Sequence, residues 1–205
     1  MLFTAQPSTL PAITLNSSSA FRGYLGLGTV GYNLDLDQST VLGGNVHLGA
    51  PIGYSAIYTG NLSPTSANEY LLGGGQGLIR IARPLSGTAS LVTGVYMTED
   101  ASRANQFVNN SGGTIQLDVP MAYSGDTIVR TGPTLRISAN NALNGTGNIV
   151  LAGGSIRVDS GSAQNRMLAP TVINNTIVMA ADSTIQMENS AYDVRLAGNI
   201  QLSPG

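Results

Sequence analysis

Along the C-terminal half of the chain, pairs of apolar residues repeatedly flank one residue assigned to an outer face. Ile115-Gln116-Leu117, Leu135-Arg136-Ile137, Ile156-Arg157-Val158, Ile177-Val178-Met179 and Ile200-Gln201-Leu202 begin at steps of 20, 21, 21 and 23 residues. Each reads as a short strand of period two, with its first and third side chains inward. A second series, Ile128, Ile149, Val172 and Val194, runs between them at steps of 21, 23 and 22. Turn-forming clusters separate the strands: Ser124-Gly125-Asp126, Asn140-Asn141, Asn144-Gly145, Gly153-Gly154, Asn174-Asn175 and Gly198-Asn199. No stretch carries a sustained 3.6-residue period with caps, so the pattern predicts almost no helix.

Two all-β architectures accommodate such strands. An antiparallel sandwich or barrel spaces its strands about every 8–12 residues. A parallel β-helix, or β-solenoid, instead stacks successive coils of about 20–23 residues. The near-constant step favours the solenoid, in which like residues lie over one another every ~4.8 Å. The expected core is then Ile115, Leu117, Leu135, Ile137, Ile156, Val158, Ile177, Met179, Ile200 and Leu202.

The N-terminal half has strand-like runs at 12–15, 33–37, 45–48, 54–58 and 78–81, with drifting steps and with Pro51, Pro64 and Pro84 at the turns. It reads as irregular coils (1–100) of one solenoid spanning 1–205, ahead of regular coils at 114–205. Glu99 to Asn110 reads as an insertion. The Ile200–Leu202 strand is followed by three residues and no polar capping segment. An uncapped solenoid end exposes unpaired backbone. The expected partner is therefore self, by end-to-end stacking, or further coils of a parent chain.

Composition narrows the function. Charged residues make up 10% of the 205, against roughly 25% in average domains. The nine basic residues are all arginine and dispersed, which argues against nucleic-acid binding. No apolar run approaches the ~20 residues of a membrane span, so no membrane insertion by this segment is expected. With no cysteine there is no disulfide or thiolate metal site. Met1-Leu2-Phe3-Thr4 lacks the cationic start of a signal peptide, and the chain reads as an internal piece of a longer polypeptide.

The run Tyr123-Ser124-Gly125-Asp126-Thr127-Ile128-Val129, with Gly132-Pro133-Thr134-Leu135 after it, resembles the autotransporter-associated β-strand repeat. The likeness continues through Asn141-Ala142-Leu143, Gly145-Thr146-Gly147 and Ile149 to Ile156, and upstream Tyr70 to Gly77 is similar to the Gly-rich coil before such repeats. Asp126 and Pro133 depart from the usual pattern. The specific match covers about 114–160. The resemblance implies a right-handed parallel β-helix of a large bacterial protein, extracellular or outer-membrane-associated at the cell surface. Such segments serve as stalks, adhesins or scaffolds, and the repeat itself supplies no catalytic residue or cofactor.

Candidate chemistry is sparse. Gly26-Leu27-Gly28-Thr29-Val30-Gly31 spells a dinucleotide fingerprint, but a strand pattern rather than a helix follows it. Gly73 to Gly77 cannot form a P-loop without lysine. Asp35 and Asp37, two apart on one strand, would face the same way with carboxylates about 7 Å apart. They are the candidate calcium or surface-glycan site, and the seat of the rival reading, a carbohydrate-binding or polysaccharide-degrading β-helix. His47, the one histidine, is read as facing outward and lacks a second imidazole for a metal. Gln116, Arg136, Arg157, Arg195 and Gln201 form an expected outer stripe, which suits either acidic glycans or solubility. Tyr24, Tyr32, Tyr54 and Tyr58 are candidate sugar platforms, and the paired asparagines are expected to adopt left-handed turns and stack amides between coils.

Overall fold

The computed structural model describes residues 2–3, 23–40, 46–94, 112–139, 142–143, 145–159, 171–187 and 194–203. Among the described residues every regular element is a strand. A nine-stranded sheet runs in chain order through Leu2–Phe3, Gly23–Leu27, Val46–Gly49, Glu69–Leu72, Ser90–Thr93, Thr127–Arg130, Ile149–Ala152, Ile177–Met179 and Ile200–Leu202. A seven-stranded second sheet contains Gly31–Tyr32, Ser55–Tyr58, Leu78–Ile81, Thr114–Leu117, Thr134–Ile137, Ser155–Val158 and Thr184–Met187. Three two-stranded ladders complete the set: Leu36–Asp37 with Leu62–Ser63, Ser86–Gly87 with Ala122–Tyr123, and Thr171–Ile173 with Val194–Leu196.

The chain visits the first sheet, the second sheet and the third face in turn, coil after coil, and where the described residues between Ile137 and Ile149 carry no third-face strand the Ala142 carbonyl still accepts the Met121 N–H at 2.8 Å. Each strand therefore meets its counterpart one coil on, running the same way, and all the strand pairs are parallel. This is a parallel β-solenoid, and neither large sheet closes on itself. Strands of the N-terminal half extend the same two sheets as those of the C-terminal half.

Registration produces the core. In the second sheet Ile79, Ile115, Leu135, Ile156 and Ile185 lie over one another, beside Ile81, Leu117, Ile137, Val158 and Met187. In the first sheet the column runs Leu25, Leu48, Leu72, Thr93, Val129, Leu151, Met179 and Leu202. Burying each aliphatic side chain of these columns, short of the exposed Met187 and Leu202 at their ends, is worth about 1.5–3 kcal/mol. Tyr32 and Tyr58, neighbours on successive coils, stack with ring centroids 6.0 Å apart. The turns are equally tight: a Cβ on Gly147 would strike the Asp126 carboxylate of the coil before.

The uniform 21-residue frame fails after Val158. Ile156 is covered by Ile185, not by Ile177, because Ser155 pairs with Thr184, a step of 29 residues. Ile177 and Met179 belong to the first sheet, stacked between Ile149 and Leu151 below and Ile200 and Leu202 above. Twelve residues separate the strand ending at Val158 from the one starting at Thr171, against six between Met187 and Val194, so a frame of 21 lands on the strand one face too early. The second series also splits, since Ile128 registers with Val150 while Ile149 lies over Thr127. Val172 and Val194 sit on the third face and are offset by one, as Thr171 pairs with Val194. A step of 36 residues separates Thr93 from Val129, and the residues of the expected insertion, Glu99 to Asn110, lie outside the described ones, as does the 12–15 run.

One buried polar residue stitches the ladder where it opens. Val46–Gly49 registers with Glu69–Leu72 only at Leu48 and Leu72. There the fully buried Gln38 amide donates to the Leu71 carbonyl at 2.8 Å and accepts the Leu71 N–H at 3.0 Å, imitating a peptide group. Leu135→Ala is expected to cost about 2–5 kcal/mol in chemical denaturation. Gln38→Leu, which leaves both Leu71 groups unpaired, is expected to cost about 1–3 kcal/mol by the same measurement.

Candidate functional site

On the third face the ladder is interrupted. The strands Leu62–Ser63 and Ser86–Gly87 belong to separate pairs, and an open groove of about 760 Å³ crosses both. The interruption has a local cause. Pro64, which has no N–H, follows Ser63, and the chain then turns back through Thr65 and Asn68, whose N–H donates to the Thr65 carbonyl at 2.9 Å with Asn68 at φ 60°. Tyr70 is buried beneath the groove and donates its hydroxyl to the Ser86 carbonyl at 2.6 Å. The Asn68 amide reaches Thr88 Oγ1 at 3.3 Å and links the two coils.

Asp35 and Asp37 both line this groove, but not as a pair on one strand. Only Leu36–Asp37 forms a strand, and Asp35 lies just before it, outside any regular element. Its Oδ1 accepts the Asn61 backbone N–H at 2.7 Å and its Oδ2 accepts the Asn61 side-chain amide at 2.9 Å. Asp37 Oδ1 accepts the Ser39 N–H at 2.9 Å and the Ser39 hydroxyl at 2.6 Å. The Asn61 and Ser39 donors hold the respective carboxyls below the usual carboxylate range, so both are anionic at neutral pH. Asp126 repeats the Asp35 device, accepting the Asn148 N–H of the next coil at 2.8 Å. Among the described residues no group of three or more His, Asp or Glu gathers to hold a metal ion.

The outer stripe is real but differently composed. Arg80, Gln116, Arg136, Arg157 and Gln186 occupy one register column of the second sheet. Arg195 instead registers with Val172 on the third face, and Gln201 with Val178 on the first sheet. The column is tied down by acids that the sequence reading overlooked. Asp118 takes the Arg80 guanidinium at 2.7 Å and the Gln116 amide at 2.6 Å, which leaves Gln116 buried rather than exposed. Asp159, with 2% of its side chain exposed, accepts from Arg136 one coil back and from Arg157 on its own coil at 3.2 Å. Each acid directly follows a strand, at Leu117-Asp118 and Val158-Asp159, and that shared position was the available signal.

His47 lies on the outer side of the first sheet yet is 4% exposed, contrary to an outward, solvated reading. It registers with Tyr24, and its Nδ1 lies 3.1 Å from the Leu72 carbonyl, the geometry of a neutral imidazole donating that proton. Burial pushes its pKa down to about 4, the Leu72 bond opposing this and the Arg130 charge adding to it. Tyr32 and Tyr58 are core residues, with the Tyr58 hydroxyl donating to the Asn61 carbonyl at 2.6 Å, and only Tyr54 among the four candidates is substantially exposed. The Gly26 to Gly31 run connects two strands with no helix between them. Gly73, Gly74, Gly75 and Gln76 all have positive φ and bring backbone against the Tyr24 ring. Asn174 and Asn175 do not adopt left-handed backbone, but the Asn175 amide donates to the Leu143 and Gly147 carbonyls of the preceding coil at 3.0 and 2.8 Å. The other asparagine pairs, Asn109-Asn110 and Asn140-Asn141, lie outside the described residues.

The class defined by this architecture is a parallel β-solenoid protein. Comparison with protein-family models, curated proteins and solved structures gives no match to this chain.

Two outcomes follow from these contacts. Because the His47 pKa is lowered on folding, its neutral form contributes stability that is fully present above pH ~6.5 and lost as pH falls toward about 4. Thermal melts should therefore show a larger loss between those values for the wild type than for His47→Gln. Asp159→Ala should lower stability by about 1–3 kcal/mol in denaturant titration, exposure of both guanidinium groups screening part of the attraction.

Proposed function

We propose that the chain is a structural and interaction module, a stalk or self-stacking scaffold of a bacterial surface protein, with no catalytic role. The observation that carries this reading is the edge of the stack. The inward columns are sealed along their length, yet Met187, Ile200 and Leu202 in its last described strands are 51%, 57% and 81% exposed. Such an edge offers aliphatic side chains already in column, next to a backbone able to accept another parallel strand. A further coil of a parent chain or a second copy would cover it with the same chemistry. The likeness of 114–160 to the autotransporter-associated repeat supports an extracellular, cell-surface setting. The low charge content and the satisfied side chains of the groove support a passive role over an enzymatic one.

Sedimentation velocity over a wide concentration range tests self-stacking. The wild type is expected to form a concentration-dependent series of elongated species, and Leu202→Asp to remain monomeric with an unchanged circular dichroism spectrum. A wild type that stays monomeric at every concentration would remove the self-stacking reading.

A further inference from the structure

The interrupted third-face ladder is a cavity with a definite chemical character. Its floor is apolar, built from Leu36, Leu62 and the buried ring of Tyr70, and its rim carries carboxylate, amide and hydroxyl groups. That division suits a ligand with apolar faces and hydroxyl edges, which is the make-up of a sugar ring. The rim residues come from three consecutive coils, at 35–37, 61–64 and 86–88. The first two of these coils are paired at ~4.8 Å and the third stands beyond the break in the ladder, so the groove runs along the solenoid axis for at least roughly 10 Å, the length of a short oligosaccharide. The charged side chains lining the groove are the two acids, Asp35 and Asp37, and no arginine lines it.

We propose that this groove binds a neutral oligosaccharide of about three sugar units, with Asp35 and Asp37 accepting sugar hydroxyls beside the Asn61, Asn68 and Thr88 donors. The hydrogen bonds within the site hold these groups in place before the ligand arrives, so little ordering entropy is lost on binding. Two fixed negative charges with no cation between them reject uronates and other acidic sugars. Recognition here is separate from stacking at Ile200–Leu202, and each can fail without the other.

The test is isothermal titration calorimetry on the full chain with a length series of β-1,4-linked glucose and N-acetylglucosamine oligomers, tri-galacturonate and calcium chloride. Heat is expected for one of the neutral series, rising in affinity up to about the trimer and then levelling off. Ser63→Trp, at an exposed position that tolerates an aromatic residue, fills the groove and is expected to abolish the heat without lowering the melting temperature. Asp37→Asn is expected to weaken binding by about fivefold. The proposal is overturned if the folded chain binds no neutral oligomer, if the galacturonate or calcium alone gives heat, or if Ser63→Trp binds as the wild type does.

Discussion

Parallel backbone pairing, one coil upon the next, is the constraint from which the rest of this molecule follows. It holds neighbouring strands ~4.8 Å apart and in register, so a residue's surroundings are set largely by the residues one coil before and after it. Stacking Leu135 on Ile115 and under Ile156 buries all three with little freedom in how they pack. The same registration brings arginines into one column, where like charges repel. Asp118 and Asp159 offset that repulsion by bridging Arg80 to Gln116 and Arg136 to Arg157. The ion pairs are thus a consequence of the ladder and not an independent design.

Where the ladder cannot run, the structure substitutes for it. Gln38 supplies a side-chain amide in place of a peptide between Val46 and Leu71. Asp35 and Asp126 take turn N–H groups of the next coil, and Asn175 donates to the carbonyls of the coil before. These contacts leave backbone groups satisfied at corners where strands end, which a stack of short strands requires at every coil. The third-face groove is the place where substitution is incomplete, because Pro64 and the left-handed Asn68 carry the chain away from its neighbour. A structural irregularity and the proposed oligosaccharide groove therefore have the same origin.

Acid should act on this protein through two kinds of group. The carboxylates held by turn donors resist protonation, whereas His47 is neutral because it is buried on the outer face of the first sheet. An imidazole in that place behaves as a small polar plug beside the ladder, its Nδ1–H donated to the Leu72 carbonyl. Nothing about its flanking residues Val46 and Leu48 distinguishes this from an exposed strand histidine.

The alternation of apolar and polar residues by itself determined that the chain is built of short strands. A recurring step near 21 residues determined that they stack as coils, since period two and coil length are both local properties of the chain. Within 114–158 even the register was legible, as Ile115, Leu135 and Ile156 do lie over one another. Beyond Val158 the tertiary structure decided, because a longer coil shifts every later strand by one face, and it moved Ile177 and Ile200 to the other sheet. Tertiary structure also decided that His47, Gln116 and Gln38 are buried and that Asp35 and Asp37 share a groove with residues about 25 and 50 positions on. Those outcomes depend on which coil lies against which, and pairing between coils is a long-range choice that no window of sequence contains.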